Sequence, residues 1–322
     1  TCQQLLRGRV SDEFPMIWAR FLVPFESELT EDDVYLSAQL ACLEMIKSGT
    51  TSFAESGGRY MHRVADAVIE SGMRACVARS TMDLGGTVAG KMVESLEDAV
   101  SRSEELFKAY HGKANGRIEV WFALRQVMTC SPELIRTIGE KAKEYSTGIH
   151  MHLYEHRDEV SFCLRRYKMR PANLIDMLGA MGPHLLTAHN VVMAESDIEL
   201  YAERRVKSIH CPHANLTSHG FSKTPSLLAK GVSIGLGSDG SSSYSSSIFE
   251  AARILRLAMN AYWGLPAFDP LVMTCKEVLE MATMGGARAI QHEQELGTVE
   301  VGKKADLILV NLRQPHMMPT HN

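Results

Sequence analysis

The stretch Ile149-His150-Met151-His152-Leu153-Tyr154-Glu155 decides how the chain is read. Side chains alternate along a strand, so His150 and His152 share one face while Met151 and Leu153 take the other. An apolar outer face needs cover, and the paired imidazoles need a common interior. Glu155 falls out of that phase. It reaches the interior only if the chain leaves the strand after Tyr154, as the polar run His156-Arg157-Asp158-Glu159 predicts. The alternative is two histidines hydrogen-bonded inside a core, with Glu155 solvated in the loop.

Similar short runs recur on both sides. Thr50 to Ala54, Arg74 to Arg79, Arg117 to Leu124, Gly148 to Tyr154, His184 to His189, Lys207 to Cys211 and Val232 to Ser238 all read as strands. Helical periodicity fills the intervals, at Glu31 to Lys47, Lys91 to Tyr110 and Pro132 to Tyr145. Ser131-Pro132-Glu133 starts the last of these, with a capping hydroxyl and proline in the first helical position. Strands apolar on both faces and separated by helices predict a parallel sheet covered by helices. Seven such strands predict an α/β fold of the (β/α)8 TIM-like barrel type, short of its first strand. An open doubly wound sheet is the competitor, but no GxGxxG turn follows an early strand.

Composition narrows the function classes. The chain has 322 residues, with 34 Lys and Arg against 38 Asp and Glu, a net charge of −4, and no basic cluster. A counterion-driven nucleic-acid partner is therefore not expected. Mean hydropathy is −0.10, and no apolar run reaches membrane-spanning length, so no membrane partner is expected either. Seven cysteines form no CxxC pair and are odd in number, which predicts free thiols and a cytoplasmic location. Thr1-Cys2-Gln3-Gln4 lacks the apolar core of a signal peptide, and the two ends read as those of a fragment.

In a barrel of this kind the chemistry gathers where strands end. Those positions hold Glu55, Arg125, His150, His152 with Glu155, His189, His210 and Asp239. His152-x-x-Glu155 supplies a neutral imidazole for a divalent metal and a carboxylate near enough to move protons. His189 closes an apolar run. Asp239 closes Val232 to Ser238 and precedes Gly240; capping of a following helix is its structural alternative. There is no HExxH, no HxE joined to PCxxC, and no phosphate loop. The 18 methionines read as core filling or as an adaptable pocket wall.

Taken in order, these residues resemble the amidohydrolase superfamily, in the branch of methylthioadenosine/S-adenosylhomocysteine deaminases and triazine-type aminohydrolases. The resemblance runs through Leu5-Leu6-Arg7-Gly8, Gly49 to Glu55, Thr129-Cys130-Ser131-Pro132, His152 to Glu155, Ala188-His189, His210-Cys211-Pro212 with Asn215-Leu216, and Gly235 to Gly240. Gly302-Lys303-Lys304-Ala305-Asp306-Leu307 looks like the re-entry into the small β-domain of such proteins. The family pattern implies a barrel over residues 1–295 that begins just after strand 1, and the start of the β-domain over 296–322. It also places a strand-1 His-x-His pair before Thr1, leaving His152, His189 and Asp239 as the metal ligands within this chain.

The resemblance further implies roles. His152 and Asp239 would be ligands, and His189 a ligand or a group holding the hydrolytic water. Glu155 would shuttle protons, with Asp239 accepting one from water. Leu124-Arg125-Gln126-Val127 offers no lysine to bridge two metals, so one divalent ion is expected, zinc, with iron the alternative. Arg125, His150, Glu55 and His213 are the expected substrate-binding residues. Arg125 is similar to an arginine of guanine deaminases, which points to a carbonyl-bearing guanine- or pterin-like ring. The expected activity is hydrolytic deamination of a small heterocycle by a homo-oligomer. A dechlorinating or ring-opening hydrolase and an inactive barrel are the alternatives.

Overall fold

All seven expected strands form; the first two run past their expected C-terminal ends, to Glu55 and Thr81, and the other five are trimmed by one or two residues at one or both ends. They are β1 Ser52–Glu55, β2 Arg74–Thr81, β3 Ile118–Leu124, β4 Ile149–Leu153, β5 Leu185–His189, β6 Lys207–His210 and β7 Ile234–Leu236. The computed structural model describes residues 1–9, 17–86, 88, 91–240, 242 and 245–319. Every adjacent pair is parallel, and the sheet order follows the chain from β1 to β7. This is the curled parallel α/β sheet of a TIM-like barrel. Among the described residues no pairing joins β7 back to β1.

Two-sided burial explains why the strands read as apolar runs. On the outer side Ile149, Met151 and Leu153 are fully buried in one cluster with Leu134, Ile135 and Ile138 of helix Pro132–Glu144. On the inner side Cys76, Ala78, Trp121, Ala123 and Leu186 pack with Ala287, Ala289 and Ile290. Gly148 enters β4 beside Trp121. A Cβ there would lie 2.4 Å from the indole, so the close approach needs glycine.

Helix starts follow their capping residues. Ser131 Oγ accepts the Leu134 N–H at 3.0 Å. The helix expected from Lys91 begins instead at Leu96, because Ser95 Oγ accepts the Asp98 N–H at 3.0 Å. The expected β-domain start at 296–322 contains no strand among its described residues, and 320–322 lie outside them. Leu309 and Val301 are exposed there. The segment is tied to the sheet by the ion pair of Arg74 Nε with Asp306 Oδ2 at 2.9 Å.

Register sets the functional rim. The β4–β5 ladder aligns His152 with Ala188 and Leu153 with His189, so the β4 and β5 termini finish side by side.

Candidate metal and catalytic site

A cavity of about 490 Å³ occupies the sheet interior, lined among others by Glu55, Arg125, Gln126, His152, Glu155 and Asp239. Near its rim the ligand atoms of His152, His189 and Asp239 all lie within 4.8 Å of one another. Each arrives by a different route: His152 from β4, His189 as the last residue of β5, and Asp239 from the loop after β7. Backbone strain accompanies the convergence. His189 (φ +81°) and Asp239 (φ +61°) both adopt left-handed conformations, as does Tyr154 (φ +56°) just before Glu155. Such conformations are costly outside glycine and gather at functional sites.

The imidazole tautomers are set by what lies behind them. His152 Nδ1 meets the Arg125 carbonyl at 3.1 Å, an acceptor, so Nδ1 carries the hydrogen and Nε2 keeps its lone pair. His189 Nδ1 faces Asn215 Oδ1 at 3.0 Å, while Asn215 Nδ2 donates to the His189 carbonyl at 3.3 Å. His189 Nε2 is then left buried with no hydrogen-bond partner. Two imidazole nitrogens and a carboxylate oxygen, backed by such partners, fit a divalent transition metal with open coordination positions. Burial first, then Arg125 and His189, holds the His152 imidazole well below its ordinary value, which favours the neutral, ligating form. His189 moves the other way: burial lowers it, but Glu155 and Asp239 more than compensate and raise it.

Glu155 leaves the strand phase as expected and turns inward. Its Oε1 lies 3.8 Å from His189 Nε2 and 3.3 Å from His219 Nε2, and its Oε2 accepts the Gln126 Nε2–H at 2.5 Å. Burial would raise this carboxyl. The imidazoles of His189, His219 and His152 and the Arg125 guanidinium outweigh it, lowering the group to about 2.

The remaining expected site residues divide. His150 lines the cavity beneath His152, the ring centroids 6.3 Å apart, and burial lowers it to about 4. Glu55 also lines the cavity and accepts the Gly57 N–H at 3.1 Å. Arg125 is buried against Glu26, with Nη1 to Oε2 at 3.1 Å, and Glu26 in turn accepts Gln3 Nε2–H at 2.6 Å. His210 stands outside the ligand group, bonded to Thr224 Oγ1 at 2.6 Å. His213 is not among the residues that line the cavity. The helical turn Pro212–Ala214 carries it off the cavity wall, and its Nε2 lies 3.7 Å from Glu250 Oε1.

Four residues with no role in the sequence reading complete the site: Gln126, Glu159, Asn215 and His219. Asn215 and His219 are the two ends of a single π-helical turn, Asn215–His219, so one irregular turn touches both His189 and Glu155. Glu159 was legible as a helix-capping partner three residues after His156. Gln126 and His219 carried no local signal.

Comparison with known proteins agrees with this geometry. The chain matches the amidohydrolase family over residues 1–321. It is 38% identical over 329 positions to a 5-methylthioadenosine/S-adenosylhomocysteine deaminase of Moorella thermoacetica, spanning 99% of this chain and 72% of that one. It is 34% identical over 318 positions to a 5'-deoxyadenosine deaminase of Methanobrevibacter smithii, spanning 98% and 71%. Among solved structures, an adenosine deaminase from Xanthomonas campestris with bound zinc superposes with a TM-score of 0.90 at 27% identity, over 100% of this chain and 72% of that one.

Proposed function

The chain belongs to the amidohydrolase family, and from that premise we propose that it is a metal-dependent hydrolytic deaminase releasing ammonia from an amino-substituted nitrogen heterocycle. The observation that carries the reading is the convergence of His152, His189 and Asp239 within 4.8 Å, with the Glu155 carboxylate 3.8 Å from His189. His152, His189 and Asp239 would hold one divalent ion, zinc, with iron the alternative for an imidazole and carboxylate set. Such an ion lowers the pKa of a coordinated water to about 7, making a nucleophile available at neutral pH.

The side chains then move protons. Glu155 starts as a carboxylate and takes a proton from the attacking water. It delivers that proton to the ring nitrogen beside the carbon under attack, which relieves the charge created as aromaticity is lost. Asp239 accepts the second water proton and passes it to the amino nitrogen. The new C–O bond stays, the C–N bond breaks, and the nitrogen departs as ammonia. Asn215 keeps His189 oriented throughout, and Gln126 and His219 restrain the carboxylate that does the work.

Arg125 in the cavity wall supports a ring bearing a carbonyl, as in guanine or pterin, for which a guanidinium N–H is a suitable donor. The adenosine-type substrates in the relatives' names favour a second reading, a 6-aminopurine nucleoside. Glu55 and His150 would meet the ring from the cavity wall. Seven free cysteines support work in the reducing cytoplasm, and the exposed Leu265, Phe268 and Leu271 support a homo-oligomer. No helix among the described residues is long and apolar enough to cross a membrane.

The test is ammonia release from a panel of aminated purines, pterins and triazines, before and after chelation and on adding back zinc or iron. The reading expects ammonia that disappears with chelator and returns with one of the two metals. Chloride release without ammonia would replace it with the dechlorinating reading. A purified protein with neither stoichiometric metal nor turnover would leave an inactive barrel.

A further inference from the structure

We propose that a second cavity, on the outer side of the sheet, binds a small aromatic carboxylate, with Arg59 and Arg102 holding the anion. The inference stands apart from the deaminase reading, because this cavity shares no lining residue with the catalytic one.

The cavity measures about 410 Å³. It lies between the start of the helix Met61–Ser71 and one face of the helix Leu96–Tyr110, where positions 102, 105, 106, 109 and 110 recur at helical spacing. Arg79 reaches it from β2. The inward residues of that strand are Cys76 and Ala78, so alternation turns Arg79 outward. Met61 and Leu106 are buried and close the floor. Ala109 is exposed, and Tyr60 and Tyr110 are half-buried, so an entering molecule meets apolar and aromatic surface that it can reach.

Charge then selects the occupant. Arg79 and Arg102 share one carboxylate: Glu94 Oε2 accepts the Arg79 Nη2–H at 2.7 Å and the Arg102 Nη1–H at 3.2 Å. Asp98, 4.0 Å from Arg102, forms an exposed pair that contributes little. Arg59 makes no ion pair among the described residues. Its Nη1 donates to the Ser27 carbonyl at 2.6 Å, its Nη2 to the Tyr60 hydroxyl at 3.1 Å, and its guanidinium carbon lies 4.8 Å from the centre of the Tyr60 ring. These contacts hold the group in place but use two of its five N–H donors, both on neutral acceptors. Glu28, whose charge Arg59 feels, is already held by Lys91 at 2.8 Å. Glu105 on the cavity wall is exposed and accepts the Ser101 hydroxyl at 3.2 Å. Three guanidiniums facing Glu94 and Glu105 leave one positive charge in excess, on an anchored arginine. A carboxylate supplies one negative charge and a planar match to the guanidinium, and an aromatic body suits the Tyr60, Ala109 and Tyr110 walls.

Isothermal titration calorimetry of the metal-loaded protein with benzoate, benzamide and inorganic phosphate tests this. Benzoate should bind saturably. Benzamide has the same shape without the charge, and phosphate has charge without the ring, so each should bind about tenfold more weakly or worse. Arg59→Gln removes a charged donor and should weaken benzoate by about 10- to 100-fold, and Arg102→Gln should weaken it too. His152→Ala, which alters only the catalytic rim, should keep the wild-type affinity for benzoate. No saturable benzoate binding, equal affinity for benzamide or phosphate, an affinity that survives both arginine substitutions, or its loss in His152→Ala overturns the inference. If Arg59→Gln does not fold, Arg102→Gln decides together with benzamide, since that side chain is 55% exposed and its removal leaves the core intact.

Discussion

Glu159 accepts the backbone N–H of Glu155 across 2.8 Å, from a side chain with no solvent exposure. The same carboxyl accepts the N–H groups of Tyr154 at 3.0 Å and His156 at 3.1 Å. Three consecutive amides thus converge on one buried group, and they belong to the turn that swings Glu155 out of strand phase and into the cavity. Removing the side chain leaves three donors without an acceptor. Glu159→Ala should destabilise the protein by about 1–3 kcal/mol, measurable by chemical denaturation. It should also lower kcat, because Glu155 loses its fixed origin, whereas Glu159→Gln, which keeps one acceptor oxygen, should retain more of both.

In the mechanism proposed above, Glu155 moves protons without holding the metal. Glu155→Gln should therefore reduce kcat for ammonia release by about 10²- to 10⁴-fold. Metal per chain, measured by elemental analysis, should stay at the wild-type level. A variant that lost its metal together with its activity would reassign Glu155 to the ligand set.

The Asn215 contact with His189 predicts the converse. Asn215→Ala frees Nδ1 of the imidazole proposed as a ligand, and loss of such an orienting partner typically costs about 10- to 100-fold in metal affinity or activity. Competition with a chromophoric chelator should show a weakened affinity of that size. His152→Ala and Asp239→Ala, which remove proposed ligand atoms outright, should show a larger loss.

Away from this rim, His292, which follows the helix Gly286–Ala289, is tied to β3. Its Nε2 lies 2.9 Å from Glu119 Oε1, and its Nδ1 lies 3.3 Å from Glu295 Oε2. The bond to Glu119 is the main cause raising this imidazole above its ordinary 6.5; burial opposes it, and the charges of Glu119 and Glu295 add to it. A group raised on folding binds its proton more tightly in the native state. Its contribution to stability is fully present below pH 6.5 and is lost as pH rises through the higher folded value. The Tm difference between wild type and His292→Gln should accordingly be largest in mild acid and shrink toward alkaline pH.

What the sequence determined by itself was the frame. Period-two alternation in Ile149 to Leu153 and apolar runs closing on His189 and Asp239 marked the strands and their active ends, because burial on both faces leaves few other solutions. The loop position of Glu155 was legible too, since the polar run after Tyr154 ends the strand. What only the tertiary structure decided was which side chains meet across the cavity. Arg125 finds Glu26, 99 residues away in the chain, and His213, adjacent in sequence to the rim, turns instead to Glu250. His219 reaches Glu155 through a π-helical turn whose rotation no periodicity announces. Gln126 is the sharpest case. Its place at the end of β3 follows from the strand pattern, but its meaning comes from a carboxylate 29 residues further on that claims one arm of its amide and leaves the other unpaired. Strand patterns are set locally by burial and backbone geometry, whereas hydrogen-bond partners are set by distances that exist only once the sheet has curled.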